Sequence, residues 1–311
     1  MTMRASVIIC TYNRCQSLRR TLETLSLMTV PLGLDWELLI VDNNSKDVTK
    51  QTCADFEKKL PLRYLFESKQ GKSHALNFAV AEAKADLLIF SDDDVDVDSN
   101  WLASYCAADL RHPETPFFGG KIIPLWPATP PRWVEENVSG LLRGVAVWYD
   151  LGPNECPVTQ QKDVFFGANL ALRKKILAQE SLSFRQDLGP TVGNPIRGEE
   201  TYLLFQLLKR GLNGIYLPDA IVHHRNLAER MTERYVRQWY KGFGMAEVRD
   251  GKVEPGDRWL FGSPRYLWRR YLSTMVLYAC TRFTRPASVW LAHECRMAIL
   301  WGQICEFRQR S

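Results

Sequence analysis

The sequence predicts an α/β fold: an open, mostly parallel sheet covered by helices on both faces. Three observations carry this. Strand-like apolar runs alternate with segments of helical period through the first 91 residues. The runs are near-continuous rather than alternating, as expected of strands buried on both faces. Polar clusters then follow three of the runs, "TYNR" (11–14), "DNNSKD" (42–47) and "SDDD" (91–94), at strand ends where such sheets bind ligands.

Taken in order, "ASVIIC" (5–10) is the first strand. The following helix carries Leu18, Leu22 and Leu25 on one face. "WELLIVD" (36–42) is the second strand, residues 46–59 a polar helix closed by Leu60-Pro61, and "LRYLFES" (62–68) the third strand. The next helix has Leu76, Ala79, Val80 and Ala83 as its stripe, and "DLLIFS" (86–91) is the fourth strand. After residue 115 the pattern changes. "FFGGKIIP" (117–124) reads as a strand, the Pro-rich 124–133 as a loop, and "DVFFGANLALRKKIL" as a strand turning into a helix. Residues 198–211 form a helix opened by two glutamates and closed by Lys-Arg-Gly, in agreement with dipole and capping rules. An extended "IVHHR" follows, and from about 231 the chain is helical, basic and aromatic. The expected organisation is therefore 1–230 as one α/β domain, divided into a ligand-binding half (1–115) and a second half (116–230), with 231–311 as a helical extension.

The bulk numbers restrict the function classes. The chain has 311 residues, 46% of them hydrophobic and 24% charged, as in ordinary globular proteins. A net charge of +5 and a pI of about 8.7 suit phosphorylated ligands or an anionic surface; they are too small to indicate nucleic acid. None of the eight cysteines forms a CxxC pair, which speaks against a zinc or redox site. No stretch approaches the roughly 18 apolar residues of a membrane span. The expected location is cytoplasmic, with peripheral contact on the inner face of the cell membrane.

The stretch "IFSDDDVDVDSNW" (89–101) delivers a buried strand into Asp92, Asp93 and Asp94. Such crowding is relieved by a hard divalent cation, Mn²⁺ or Mg²⁺, which takes carboxylate and phosphate oxygens together. The competing reading is a solvated acidic turn. Asp42 at the second strand end would accept from a ribose or base, or cap the following helix, or both. "TYNR" offers backbone groups, the Tyr12 ring and the Arg14 cation.

Together "VIICTYNR", "LLIVDNNSKD", "GKSHALNFAVAEAKADLLIFSDDDV" and "RGEETYLLFQLLKRG" resemble family-two glycosyltransferases of the GT-A fold, in order and spacing, from residue 5 to about 225. The resemblance implies an inverting, metal-dependent transfer of a sugar from a nucleoside diphosphate donor, most simply a UDP-sugar, to a glycan or lipid-linked hydroxyl in polysaccharide and cell-envelope synthesis. It implies a donor site of Thr11, Tyr12, Arg14, Asp42, Lys72, Asp92, Asp93 and Asn169. Asp92 and Asp94 match the outer positions of the family's DxD motif, and His224 is a further metal candidate. The family's catalytic acidic pair, most commonly Glu-Asp, is here Glu199-Glu200. A helical wheel centres the stripe Leu203, Leu204, Leu207, Leu208 on Glu200, making Glu200 the inward-facing base and Glu199 a rim residue. Arg225 would stabilise the departing diphosphate. Trp126, Trp133, Trp148 and Tyr149 would stack on sugars or pack inside. The tail 264–308, rich in Arg, Trp and Tyr, would lie on an anionic membrane, pack as a helical subdomain, or form a homo-oligomer interface. The rival classes are a nucleotidyltransferase on a similar sheet and a non-catalytic nucleotide-sugar-binding module.

Overall fold

The computed structural model describes residues 4–191 and 196–310. In chain order the elements begin with β1 (Ala5–Thr11), α1 (Cys15–Leu27), β2 (Trp36–Asp42), α2 (Thr49–Ala54), β3 (Leu62–Phe66), α3 (Lys72–Glu82) and β4 (Leu87–Asp92). Next come β5 (Val95–Val97), α4 (Trp101–Arg111), β6 (Phe117–Leu125), α5 (Arg132–Glu135), α6 (Arg143–Ala146) and β7 (Cys156–Val158). They are followed by β8 (Asn169–Arg173), α7 (Lys174–Gln179), α8 (Glu199–Lys209), β9 (Gly214–Arg225), α9 (Glu233–Arg249), α10 (Arg265–Thr281) and α11 (Ala287–Arg310).

The chain divides into two units. The first holds the chain to Leu125, Val147–Gln186 and Glu199–Asn226. Its sheet runs β3-β2-β1-β4-β8-β6-β9-β5, with β7 on β9. The β3-β2-β1-β4 half is parallel, and β8 enters antiparallel to both β4 and β6. The sheet is thus mixed, with a parallel half built from the four apolar runs. Every residue of β2 is buried, and Leu18, Leu22 and Leu25 of α1 face the same core. Register places Thr11 beside Asp42 and Cys10 beside Asp92, so the polar strand ends fall at one edge.

Glu37 near the start of β2 is buried and charged. Ser6 Oγ and the Lys84 backbone N–H each donate to its Oε1 at 2.7 Å, and Arg63 Nη1 to its Oε2 at 2.5 Å. Burial works against the carboxylate, but these donors outweigh it and hold the group below its ordinary value. The helix expected over 46–59 is only six residues long. After Ala54 the hydrogen bonds tighten to i→i−3 at Phe56 and Glu57, and the chain turns into β3.

The second unit is helical: Trp126–Ala146, the described part of Asp187–Gly198, and Leu227 onward. It takes in more than the expected 231–311, because Val134, Leu142 and Val145 pack with Val236, Trp290, Leu291 and Cys295. Trp133 meets Trp290 there at 6.2 Å between ring centroids, while Tyr149 of the first unit is fully buried among Phe165, Phe166 and Tyr216. Interior packing is the role of both aromatics. Among the described residues no helix is long and apolar enough to cross a membrane.

Candidate active site

Five elements of the first unit bring charge together. The turn after β4 carries Asp92, Asp93 and Asp94. Thr11 Oγ1 donates to Asp93 Oδ2 at 2.7 Å, and Arg14 spans Asp93 Oδ1 (2.7 Å) and Asp94 Oδ2 (2.9 Å). Antiparallel pairing of β5 with β9 sets Val95 opposite His224, and the Arg225 N–H donates to the Asp94 carbonyl at 2.8 Å. That register carries His224 Nε2 to 3.3 Å from Asp94 Oδ1.

Lys72 opens α3. A cation at a helix N-terminus opposes the macrodipole, so its placement needs another cause. The cause is three carboxylates: its Nζ lies 3.1 Å from Asp92 Oδ1, 2.8 Å from Glu200 Oε1 and 3.5 Å from Glu199 Oε1. Burial would favour the neutral amine, but Asp92, Glu200 and Glu199 outweigh it and keep Lys72 charged. Arg14 is held charged in the same way by Asp93 and Asp94.

The cluster stays short of positive charge, with five carboxylates facing Lys72 and Arg14. Burial pushes the Asp93 carboxyl up to about 7; Arg14 opposes the shift, and Asp94 and Asp92 add to it. Burial likewise pushes Glu199 up to about 8, with the Glu200 charge adding to the shift and Lys72 opposing it. At Glu200 burial is overcome by Lys72, and the carboxyl is held below its ordinary value. Burial and the Glu200 charge thus favour the protonated form of Glu199, which hydrogen-bonds the Glu200 carboxylate. The arrangement offers one charged carboxylate, Glu200, as a proton acceptor.

The wheel expectation needs correcting. Glu199 is the deeper of the two at 2% exposed, against 9% for Glu200. A wheel assumes solvent opposite the apolar stripe. The first turn of α8 is instead covered, with Lys72 reaching over it from α3 and Gly167 backing Glu200.

Asp92, Asp94 and His224 each present a ligand atom, and these atoms lie within 4.8 Å of one another. Metal–oxygen and metal–nitrogen bonds of about 2.1 Å span about 4.2 Å, so small side-chain rotations close the set on one ion. Two carboxylates with an imidazole suit Mn²⁺ better than Mg²⁺. The residues present fit a divalent cation.

Two further assignments are corrected. Asn169 is fully buried and its amide is saturated. Its Nδ2 donates to the carbonyls of Lys121 (2.9 Å) and Ala220 (2.7 Å), while its Oδ1 accepts from Trp101 Nε1 and Tyr105 Oη, both at 2.8 Å. It braces β8 and is not a sugar contact. Arg225 spends its guanidinium on the Asp96 carboxylate, the Ser17 carbonyl, Thr21 Oγ1 and the Asp93 carbonyl. It stiffens the aspartate turn rather than meeting a diphosphate.

Asp42 is a buried cap, accepting from the Ser45 N–H and Tyr64 Oη at 2.8 Å each, with a lone pair left on each oxygen. Tyr12 is half-buried beside the strand end. Sequence reasoning missed Tyr64, Asn43 and Cys10. Asn43 ties the loop before α3 through Glu67 O, Lys69 O and the Gly71 N–H. Burial pushes the Cys10 thiol up strongly, so it is no nucleophile. The "DNNSKD" cluster marked a polar strand end without singling out Asn43, and nothing in sequence singles out Cys10.

Residues 6–122 match the family described as "Glycosyl transferase family 2". Validoxylamine A glucosyltransferase of Streptomyces hygroscopicus subsp. jinggangensis is 36% identical over 105 residues, which is 33% of this chain and 25% of that protein. The match thus spans about a quarter of that relative's length. A longer match, 24% identical over 74% of this chain and 72% of the other, is the glucosyl-dolichyl phosphate glucuronosyltransferase of Haloferax volcanii. Among solved structures, the mannosyltransferase PcManGT from Pyrobaculum calidifontis, in complex with GDP-Man and Mn2+, superposes with a TM-score of 0.63. The identity is 16%, covering 100% of this chain and 89% of that one. S. aureus TarS 1-349 in complex with UDP gives 0.56 at 14% identity, covering 99% and 92%. Residues 6–122 thus resemble family-two glycosyltransferases, and the chain has the fold of these GT-A structures.

Proposed function

We propose that the protein is a metal-dependent inverting glycosyltransferase that moves a sugar from a nucleoside diphosphate to a hydroxyl of a glycan or lipid-linked acceptor. The observation that carries this is the join between two sites: Lys72 lies 3.1 Å from the aspartate that opens the metal-ligand set and 2.8 Å from the ionised Glu200. A cation site and a proton acceptor at one end of one sheet are the two parts this transfer needs.

In this reading Asp92, Asp94 and His224 hold a divalent cation, which would neutralise the diphosphate as it leaves. Thr11, Tyr12, Arg14 and Asp42 line the nucleotide side. Asp93 keeps Thr11 and Arg14 in place. Lys72 orients the donor and holds Glu200 ionised. Glu200 takes the acceptor hydroxyl's proton as that oxygen attacks the anomeric carbon, and Glu199 stays protonated and holds Glu200 in position. A UDP-sugar is the favoured donor; neighbours of the fold were solved with UDP, UDP-GlcNAc and GDP-Man, which supports a nucleotide sugar.

The test incubates the protein with UDP-, GDP- and dTDP-sugars, with Mn²⁺ or with EDTA, and follows nucleoside diphosphate release. Release that needs Mn²⁺ and is lost in Asp94→Ala is the expected result. Release of pyrophosphate from nucleoside triphosphates instead would overturn the reading.

A further inference from the structure

Helix α10 turns one side inward: Leu267 packs with Leu300, Ile304 and Phe307, and Thr274 on the same side is buried. The opposite side is also apolar. Leu272, Val276 and Ala279 recur at spacings of four and three, which places them on one stripe, and Phe283 follows in the turn after the helix. All four face solvent, Val276 at 59% and Phe283 at 92% exposure, with exposed Met275 and Leu277 beside them. No charged residue occurs from 271 to 281. A helical segment that is apolar on its outer as well as its inner side needs a second apolar environment.

The ends of the stripe say which one. Arg265, Arg269 and Arg270 precede it and Arg285 follows it, all exposed. Arg282 is otherwise engaged, pairing with Glu233 and lying 3.9 Å from the Trp290 ring. No Asp or Glu occurs between Asp257 and Glu294. A second copy of the chain docking here by two-fold symmetry would set arginine-flanked stripe against arginine-flanked stripe, with no carboxylate on the helix to answer them. A bilayer with anionic headgroups offers an apolar interior and a negative rim together, at the depth where arginine stems extend. Seventeen residues rise about 26 Å, short of the roughly 20 residues of a spanning helix, so the helix lies in the plane of the membrane.

We infer that the outer face of α10 docks on an anionic lipid bilayer surface. This goes beyond the proposed reaction and stands without it.

The full chain is sedimented with vesicles of phosphatidylcholine alone and of phosphatidylcholine mixed with phosphatidylglycerol. The wild type binds the anionic vesicles at least about ten-fold more tightly. The variant Leu272→Glu, Val276→Glu, Phe283→Glu keeps its melting temperature and loses at least about ten-fold in binding. Arg265→Gln with Arg269→Gln weakens binding roughly five-fold per arginine and flattens its salt dependence. If the triple variant melts early, Phe283→Ser and the arginine pair carry the test. Absent binding, equal binding to neutral vesicles, or unchanged binding by the variants overturns the inference. So does a wild-type dimer in sedimentation velocity that the triple variant dissociates, because a second copy then covers the face.

Discussion

Replacing Gly167 with alanine tests the placement of the proposed base. A Cβ built on Gly167 would stand 2.1 Å from Glu200 Oε1, 2.7 Å from Cδ and 3.0 Å from Cγ. Ordinary carbon contacts begin near 3.5 Å, so the carboxylate retreats by about 1 Å and pulls against its 2.8 Å bond to Lys72. The backbone tolerates alanine, which restricts the unfolded chain and stabilises by about 0.4–1 kcal/mol. Crowding costs about 1–3 kcal/mol in the other direction. The net effect on stability is small, while a 1 Å misplacement of a reacting group costs about 10² in rate. Single-turnover transfer at saturating donor should therefore slow about a hundred-fold, with donor affinity by titration unchanged. Glu200→Asp withdraws the carboxylate by one methylene. In the double variant it should restore about ten-fold over Gly167→Ala alone. Wild-type turnover in Gly167→Ala, or strictly additive losses in the double variant, would refute the reasoning.

Glu200→Gln should lower kcat about 10²–10⁴ with donor binding retained, whereas Glu199→Gln, which replaces a group whose protonated form burial favours, should cost under about ten-fold; steady-state kinetics separates the two. Asn169→Ala strands Trp101, Tyr105 and two carbonyls in the core, and denaturant melts should show a loss of at least about 3 kcal/mol. Glu37 has a depressed carboxyl, so its stabilisation is present above the unfolded value near 4.3 and is lost as pH falls through the folded value. Thermal melts from pH 7 to 3 should show Glu37→Gln less stable than wild type at neutral pH by about 3 kcal/mol, and less sensitive to acid.

Strands β1 to β4 were legible because each is an apolar run long enough to read, and their ends carried polar residues whose parallel register followed from the pattern. Strands β5 and β7 were not, since each has three residues and is made by pairing with β9. The three aspartates were visible as repelling charge at a strand end. The bridge from Lys72 to Glu200 was invisible, because it joins positions 128 apart through two helix starts. Asn169 misled because a resemblance gives a residue type and not its partners. Here Trp101 and Tyr105, on α4, arrive to occupy the oxygen a sugar would need.

Lys72 has a consequence for how this site is dissected. Its one ammonium is counter-ion to Asp92 and to Glu200 at once. Removing it leaves both carboxylates uncompensated, and altering either carboxylate changes what the other feels. Losses measured on substituting Asp92 and on substituting Glu200 therefore do not sum, and a ledger of separate residue contributions has no meaning across that pair. The two ends behave as one electrical body.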